Sequence, residues 1–472
     1  MAEQGQDNFR DSIGTLKEGG GRNFIYPKKP KGKLYNYRTW LSWVLLTLFF
    51  IFPFIKVNNQ QFIMFNVLER QFNIFGIPFF TQDFHIFAIG IGLSVVFLIL
   101  FTVIFGRIFC GWLCPQTIFL EMVFRKVEYL IEGDGHKQKR LAKQPWNKEK
   151  ILKKGLKYIV FAILSLVISS VMFAYVVGSD KILGYISEGL SAHLRFFITL
   201  FAFSAVFYFV FASFREQACI IVCPYGRLQG VLLDNNSINV AYDFVRGEGE
   251  NGRAKQRKKQ DRDQEGYGDC VDCNMCVAVC PTGIDIRNGT QLECINCTAC
   301  IDACNETMDQ VGFERGLIGY KTENDIEKGE PFKFGVRHIF YVGVLTILIS
   351  ILAGLLVFRG EVETVILKSP GNPYTESKGL IINTYNFTVI NKSSEDLDDV
   401  TFKLLSHDGS IQNTISDLDV AVTEQGKGLL IVTIDKTKLT TFVEPIKIGV
   451  YTGEKLIEEV TVKFSGPTSL GR

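Results

Sequence analysis

The stretch Cys270–Asn305, CVDCNMCVAVCPTGIDIRNGTQLECINCTACIDACN, decides how the rest of the chain is read. Cys270, Cys273, Cys276 and Cys280 follow the spacing C-x2-C-x2-C-x3-C, and Cys294, Cys297, Cys300 and Cys304 repeat it. Three thiolates at consecutive three-residue steps sit on one tight loop and can ligate one 4Fe-4S cube, while the fourth cysteine crosses to the partner cube. Carried onto this chain, the pattern predicts one quartet of Cys270, Cys273, Cys276 and Cys304 and a second of Cys294, Cys297, Cys300 and Cys280. Zinc ribbons, the competing reading, use paired C-x2-C knuckles with longer separations and no Cys-Pro. A bacterial-type 2x(4Fe-4S) ferredoxin domain is therefore expected over about residues 265–310.

Outward from this block the chain is apolar. Of 472 residues 47% are hydrophobic and 40 are phenylalanine, too greasy for an ordinary cytosolic enzyme. The net charge of +2 gives no reason to expect a nucleic acid partner. Five runs, about 37–55, 86–105, 158–177, 196–214 and 339–358, reach the roughly 17 to 25 apolar residues that a bilayer core requires. The first 36 residues are polar and lysine-rich, so no cleavable signal peptide is expected. Lysine and arginine number eight in the first 39 residues, eleven in 106–155 and fifteen in 215–337, against two each in 56–85 and 178–195. That bias places the N-terminus inside and the C-terminus outside.

All twelve cysteines fall on the two inner segments or at the helix ends facing them, and residues 359–472 contain none. Metal or redox chemistry in a reducing compartment is thereby favoured over disulfides. The four cysteines outside the block form a repeat. FGRIFCGWLCPQT (Phe105–Thr117) and FREQACIIVCPYGR (Phe214–Arg227) each close an apolar run with an arginine and then C-x3-C-P, which sets Cys110, Cys114, Cys219 and Cys223 at one depth. In a regular helix residues i and i+4 have Cβ atoms about 5–6 Å apart, whereas a relaxed disulfide wants roughly 3.5–4.5 Å. Each pair is better spaced for a shared soft metal, Cu(I), zinc or an iron–sulfur centre. Cysteine can also be a plain small hydrophobe in a membrane helix. Two copies at matching depth beside a two-cluster electron wire weigh against that. The proline disfavours helical geometry at the residue before it, so Cys114 and Cys223 are expected where one helix breaks and another starts.

RGEGENGRAKQRKKQDRDQEG (Arg246–Gly266) is charge-dense and nearly free of apolar residues, the composition of a disordered linker. Beyond Arg359 the pattern alternates, as in GLIINTYNFTVINKS and EPIKIGVYTGEK, and short β-branched strands between Asn, Asp, Gly and Ser predict a β-sandwich of about 100 residues. His85 and His193 fall at the outer ends of the second and fourth runs, most simply as interfacial residues, with an outer copper or quinol contact as the sharper alternative.

The order IYP, QDF, CGWLCPQT, REQACIIVCPYGR, GDCVDCNMCVAVCPTGIDIRNG, ECINCTACIDACNETM and RGLIGY resembles the FixG/RdxA/CcoG family, accessory proteins of cbb3-type cytochrome c oxidase. The motifs lie within about residues 22–365, and the tail is similar more loosely. The resemblance implies a bacterial inner-membrane protein with two 4Fe-4S clusters that reduces Cu(II) to Cu(I) for the oxidase's haem-copper centre. It also implies that Cys110, Cys114, Cys219 and Cys223 are the copper ligands and the catalytic site. Partners would then be the membrane, copper ions, oxidase assembly factors, a copper transporter and an electron donor that the sequence does not name.

The expected architecture is a polytopic α-helical membrane protein of five transmembrane helices, with an inserted cytoplasmic ferredoxin domain and a C-terminal periplasmic immunoglobulin-like sandwich. Its parts are 1–36, a cytoplasmic segment; 37–214, four helices; 215–337, the cytoplasmic segment holding the ferredoxin domain; 338–358, the fifth helix; and 359–472, the sandwich. A cupric reductase is the favoured function. A membrane subunit passing quinol electrons to a periplasmic reductase and a non-redox assembly scaffold are the competitors.

Overall fold

In the computed structural model the described residues are 22–57, 60–67, 71–79, 83–255, 262, 264–360, 362–393, 396–415, 418–422 and 424–467. Two compact units divide the chain, one built mainly from residues up to Leu352 and one mainly from Ala353 onward.

The first unit contains most of five long helices, α1 (Lys33–Ile51), α2 (Phe84–Phe105), α3 (Lys148–Val177), α4 (Leu194–Phe209) and α5 (Val336–Val357). Each is long and apolar enough to cross a membrane, α1 with the turn Phe52–Phe54 that follows it and α4 with its π-helical extension Val210–Phe214. No residue in the most apolar stretch of α5 is buried by protein. An apolar surface of that size marks the chain for association with a membrane. The helices correspond to the five apolar runs, with one difference of note: α3 begins at Lys148, well before the apolar run at 158. Asn147 caps it by accepting the Lys150 N–H at 2.8 Å, and its charged first turns find buried partners, so charge does not end the helix. Phenylalanines knit α3 and α4 to the segment between the first C-x3-C-P and α3. Phe124 stacks on Phe211 with ring centroids 4.8 Å apart and meets Phe161 edge-on at the same distance.

The cysteine block folds as two loop–helix repeats, with helices Met275–Ala278 and Ala299–Val311, beside the antiparallel strand pair Asn239–Tyr242 and Ile318–Lys321. The two loops repeat in conformation as well as in sequence. Asp272 and Asn274 have φ of +47° and +57°, and their counterparts Asn296 and Thr298 have +51° and +65°. Left-handed backbone at non-glycine residues, a β-branched threonine included, is costly and persists where the surroundings impose it. Here it wraps each loop inward, toward its cysteines.

The arginine-rich stretch after α4 differs from the disordered linker expected. Residues 256–261 and 263 lie outside the described residues, but Arg246 pairs with Asp269 at 2.6 Å and Arg262 donates to the carbonyls of Gly268, Cys270 and Ala254. Arginine forks that satisfy loop carbonyls fold a segment which has no apolar side chains to bury.

The second unit is a sandwich. Its strands are β1 (Val362–Lys368), β2 (Thr375–Ser377), β3 (Leu380–Asn391), β4 (Val400–Leu404), β5 (Gly409–Asn413), β6 (Gln425–Asp435), β7 (Val443–Thr452) and β8 (Lys455–Ser465). One sheet runs β5-β6-β3-β1, with β2 also on β3, and the other runs β4-β7-β8. Alternate residues Ile381, Tyr385, Phe387 and Val389 of β3 meet Leu430, Val432, Ile448 and Phe464 in the core. Asn383 stitches the sheets by exchanging hydrogen bonds with the backbone of Ser465.

Candidate functional site

Both C-x3-C-P motifs break a helix in the same way. After α2, Gly106 turns the chain at φ +55°, with Asn239 and Ile238 so close that a Cβ there would collide. A short helix Ile108–Trp112 follows, and Cys114 is extended (ψ 123°) ahead of Pro115, the first residue of the next helix. Cys223 repeats this, with ψ 113° ahead of Pro224 and the helix Pro224–Leu232. In both motifs the second cysteine's N–H reaches back five residues, Cys114 to Phe109 O and Cys223 to Ala218 O, each at 2.9 Å. Such widened turns recur at functional sites.

The four thiols converge. Cys219 lies within electrostatic reach of Cys114, Cys110 and Cys223, and Cys110 within reach of Cys114 and Cys223. Gln229 donates to Cys110 Sγ at 3.1 Å. Burial first, then the neighbouring thiols, push Cys110 and Cys219 up to about 12, so a thiolate at either position needs a cation beside it. Among the described residues no three His, Cys, Asp or Glu side chains close on a single metal ion.

The ferredoxin-type block brings its cysteines into two sets. Cys304 lies within electrostatic reach of Cys276, Cys270 and Cys273; Cys300 lies within reach of Cys297, Cys294 and Cys280 and, more weakly, of Cys276 in the first set. Cys280, Cys294, Cys297 and Cys300 line one enclosed cavity together with Cys276. Chiefly through burial, Cys276, Cys297 and Cys304 rise to about 12 and Cys294 to about 11. Four thiols around one cavity fit a cluster, whose cationic iron core is what would hold them as thiolates.

The thiol site sits directly on the second quartet. A Cβ on Gly111, inside the first C-x3-C, would lie 2.4 Å from Ile295 O and 2.7 Å from Asn296 O, which are in the loop between Cys294 and Cys297. Only glycine permits that approach. Arg38 Nε donates to Gly111 O at 2.7 Å, and Arg107 Nη1 donates to the carbonyls of Gln291, Leu292 and Cys294. These contacts were missed from the sequence, where the one signal was the arginine that opens each motif. The two arginines serve differently: Arg215, at φ +52°, forks onto Glu128 at 2.7 and 2.8 Å instead. Burial alone would raise Glu128, yet Arg215, Lys157 and Arg125 outweigh it and bring it down to about 2.

The histidines stand apart from these sites. His193 stacks on Tyr185 and bonds Glu188, whereas His85 lines a cavity of about 340 Å³ with Asp83, Arg359, Glu363, Lys392 and Glu458.

Comparison with known proteins bears on the same segments. Residues 214–323 match the 4Fe-4S dicluster domain, 87–132 a 4Fe-4S binding domain, and 352–467 the IG-like fold at the C-terminal of FixG. Protein RdxA of Cereibacter sphaeroides is 36% identical over 393 residues, covering 79% of this chain and 81% of its own. Protein RdxB of the same organism is 34% identical over 439 residues, 89% of this chain and 88% of its own. This chain belongs to the FixG/RdxA family. Nitrogen fixation protein FixG of Rhizobium meliloti is 34% identical over 309 residues, 64% of this chain and 58% of its own. As a member of the FixG/RdxA family the chain is an iron–sulfur electron-transfer protein with an immunoglobulin-like C-terminal domain.

Proposed function

We propose that this protein spans the bacterial inner membrane, N-terminus inside and sandwich outside, and reduces Cu(II) to Cu(I) for the copper centre of a cbb3-type cytochrome c oxidase. The observation that carries the reading is the packing of Gly111, and with it the Cys110–Cys114 loop, on the ligand loop of the second cysteine quartet. An acceptor held by Cys110, Cys114, Cys219 and Cys223 would then lie next to the end of a two-cluster wire. Bound at Cys270, Cys273, Cys276 and Cys304 and at Cys294, Cys297, Cys300 and Cys280, 4Fe-4S clusters supply one-electron reducing equivalents. Each Cu(II) takes one electron and leaves as Cu(I). Thiolates stabilise Cu(I) over Cu(II), which makes that transfer downhill. Oxidase assembly factors and a copper transporter are the partners this reading calls for.

The test is an anaerobic copper titration of the full chain with its clusters prereduced. Serine at Cys110 and Cys219 together should abolish copper reduction while iron stays at about eight per chain, since the cubes have their own ligands. Full copper binding and reduction in that variant would overturn the assignment and make these thiols structural. A second reading has one observation behind it: the 4Fe-4S binding domain matched over 87–132 contains Cys110 and Cys114 and no other cysteine. On that reading the four thiols hold a third cube, and the wild-type protein carries about twelve irons.

A further inference from the structure

Two arginines lie between the membrane-edge thiols and the second quartet, and among the described residues neither has a carboxylate partner. Arg38 is 2% exposed and Arg107 is 4% exposed. Both donate only to backbone carbonyls, and among the described residues Arg38 Nη2 and Arg107 Nε have no hydrogen-bond partner at all. The titratable groups that act most strongly on Arg107 are Cys294, Cys110 and then Glu293, and Arg38 acts more strongly on Cys297 than any other charged group does. A guanidinium buried without a counter-ion is strongly unfavourable. Arg125 and Arg215, equally buried, have Glu121 and Glu128 at 2.7 Å.

One arginine of the first quartet is held differently. Arg287 lies beside Cys276 but forks onto Asp285 and also holds Asp272, each at 2.6 Å. Its charge is spent on carboxylates. Arg262, which donates to Cys270 O, likewise has only carbonyl acceptors among the described residues, so what distinguishes Arg38 and Arg107 is their contact with the Cys110–Cys114 loop and the second quartet.

We propose that Arg38 and Arg107 are positioning residues whose counter-ion is the second 4Fe-4S cluster, and that they raise its potential. A cluster with four thiolates is anionic and becomes more so on reduction, so a fixed buried cation favours its reduced form. Arg107 also ties the first C-x3-C motif to the carbonyls of Gln291, Leu292 and Cys294, and Arg38 holds Gly111 O, whose residue packs on Ile295 and Asn296. Geometry therefore makes the second quartet the one that faces the membrane-edge thiols. That this is the exit toward copper rests on the function proposed above; the effect of the two arginines on the potential does not.

The experiment is an anaerobic EPR-monitored redox titration of the full chain, with iron quantified and no copper added. R107Q and R38Q should each move the same one of the two cluster signals to lower potential and leave the other in place, at wild-type iron content. R107K, which keeps the charge, should restore the potential. D272N, which frees Arg287 beside Cys276, should move the other signal, to higher potential. Full iron with neither signal moved in R107Q and R38Q overturns the proposal, as does movement of both signals together or of the signal that D272N moves. Loss of iron from R107Q, R107K and R38Q alike also overturns it, because the arginines would then be structural. Since copper is absent, failure here leaves the cupric reductase reading standing, and failure of the copper titration leaves this one.

Discussion

Arg215 and Glu128 form a buried pair between the second C-x3-C-P motif and the segment that follows the first. Arg215 is held at φ +52°, Glu128 is 2% exposed, and the two share a bidentate contact with Lys157 3.5 Å from the same carboxylate. Breaking a buried pair by removing one partner costs about 3–5 kcal/mol, because the other charge is left unpaired. Glu128→Gln should therefore lower the thermal midpoint in nanodiscs far more than a substitution at the exposed Glu149. The pH dependence has a definite sign. Glu128 sits at about 2 in the folded protein against an ordinary 4.5, so its contribution is present above pH 4.5 and is lost as pH falls toward 2. The difference in midpoint between wild type and Glu128→Gln should be flat above pH 5 and shrink below it; a difference that grows on acidification would contradict the pairing. Nothing in FREQAC separates this arginine from that of GRIFC, since both precede a C-x3-C-P. The partner decides, and Glu128 lies 87 residues away.

Among the elements, α1 and the cluster helix Ala299–Val311 are joined by a cap supplied from outside the helix that needs it. Asp302 accepts the N–H groups of Leu34 at 3.3 Å and Tyr35 at 2.8 Å, doing for the first turn of α1 what its own N-cap, Gly32, has no side chain to do. Asp302→Ala should cost about 0.5–2 kcal/mol, the usual loss for a cap. Protease sensitivity near residue 33 should rise while iron content holds; an unchanged digestion pattern would mean that the carboxylate is not the cap. The helix breaks at Cys114 and Cys223 were legible, because a proline restricts the residue before it wherever it occurs. Strands β1, β2 and β5 were not. They are short or sit next to a predicted span, and pairing with β3 and β6 makes them strands.

For the whole molecule, the charge bias of the loops predicts that a reporter fused after residue 365 is active only in the periplasm and one fused near 250 only in the cytoplasm. Activity on the same side would remove one of the five spans, with the proline-containing first as the suspect. The sequence by itself determined whatever depends on spacing and solvent. Three-residue steps between cysteines select a cube, runs of apolar residues require a bilayer, and alternation in the tail requires a sandwich. These are local patterns, and each stands without knowledge of its neighbours. Only the tertiary structure decided that the first C-x3-C loop meets the second quartet rather than the first, and that Arg38 and Arg107 are left without carboxylates while Arg287 is not. The reason is physical. Arg107 reaches Cys294 across 187 residues by donating to a backbone carbonyl, and a carbonyl is the same at every position of the sequence.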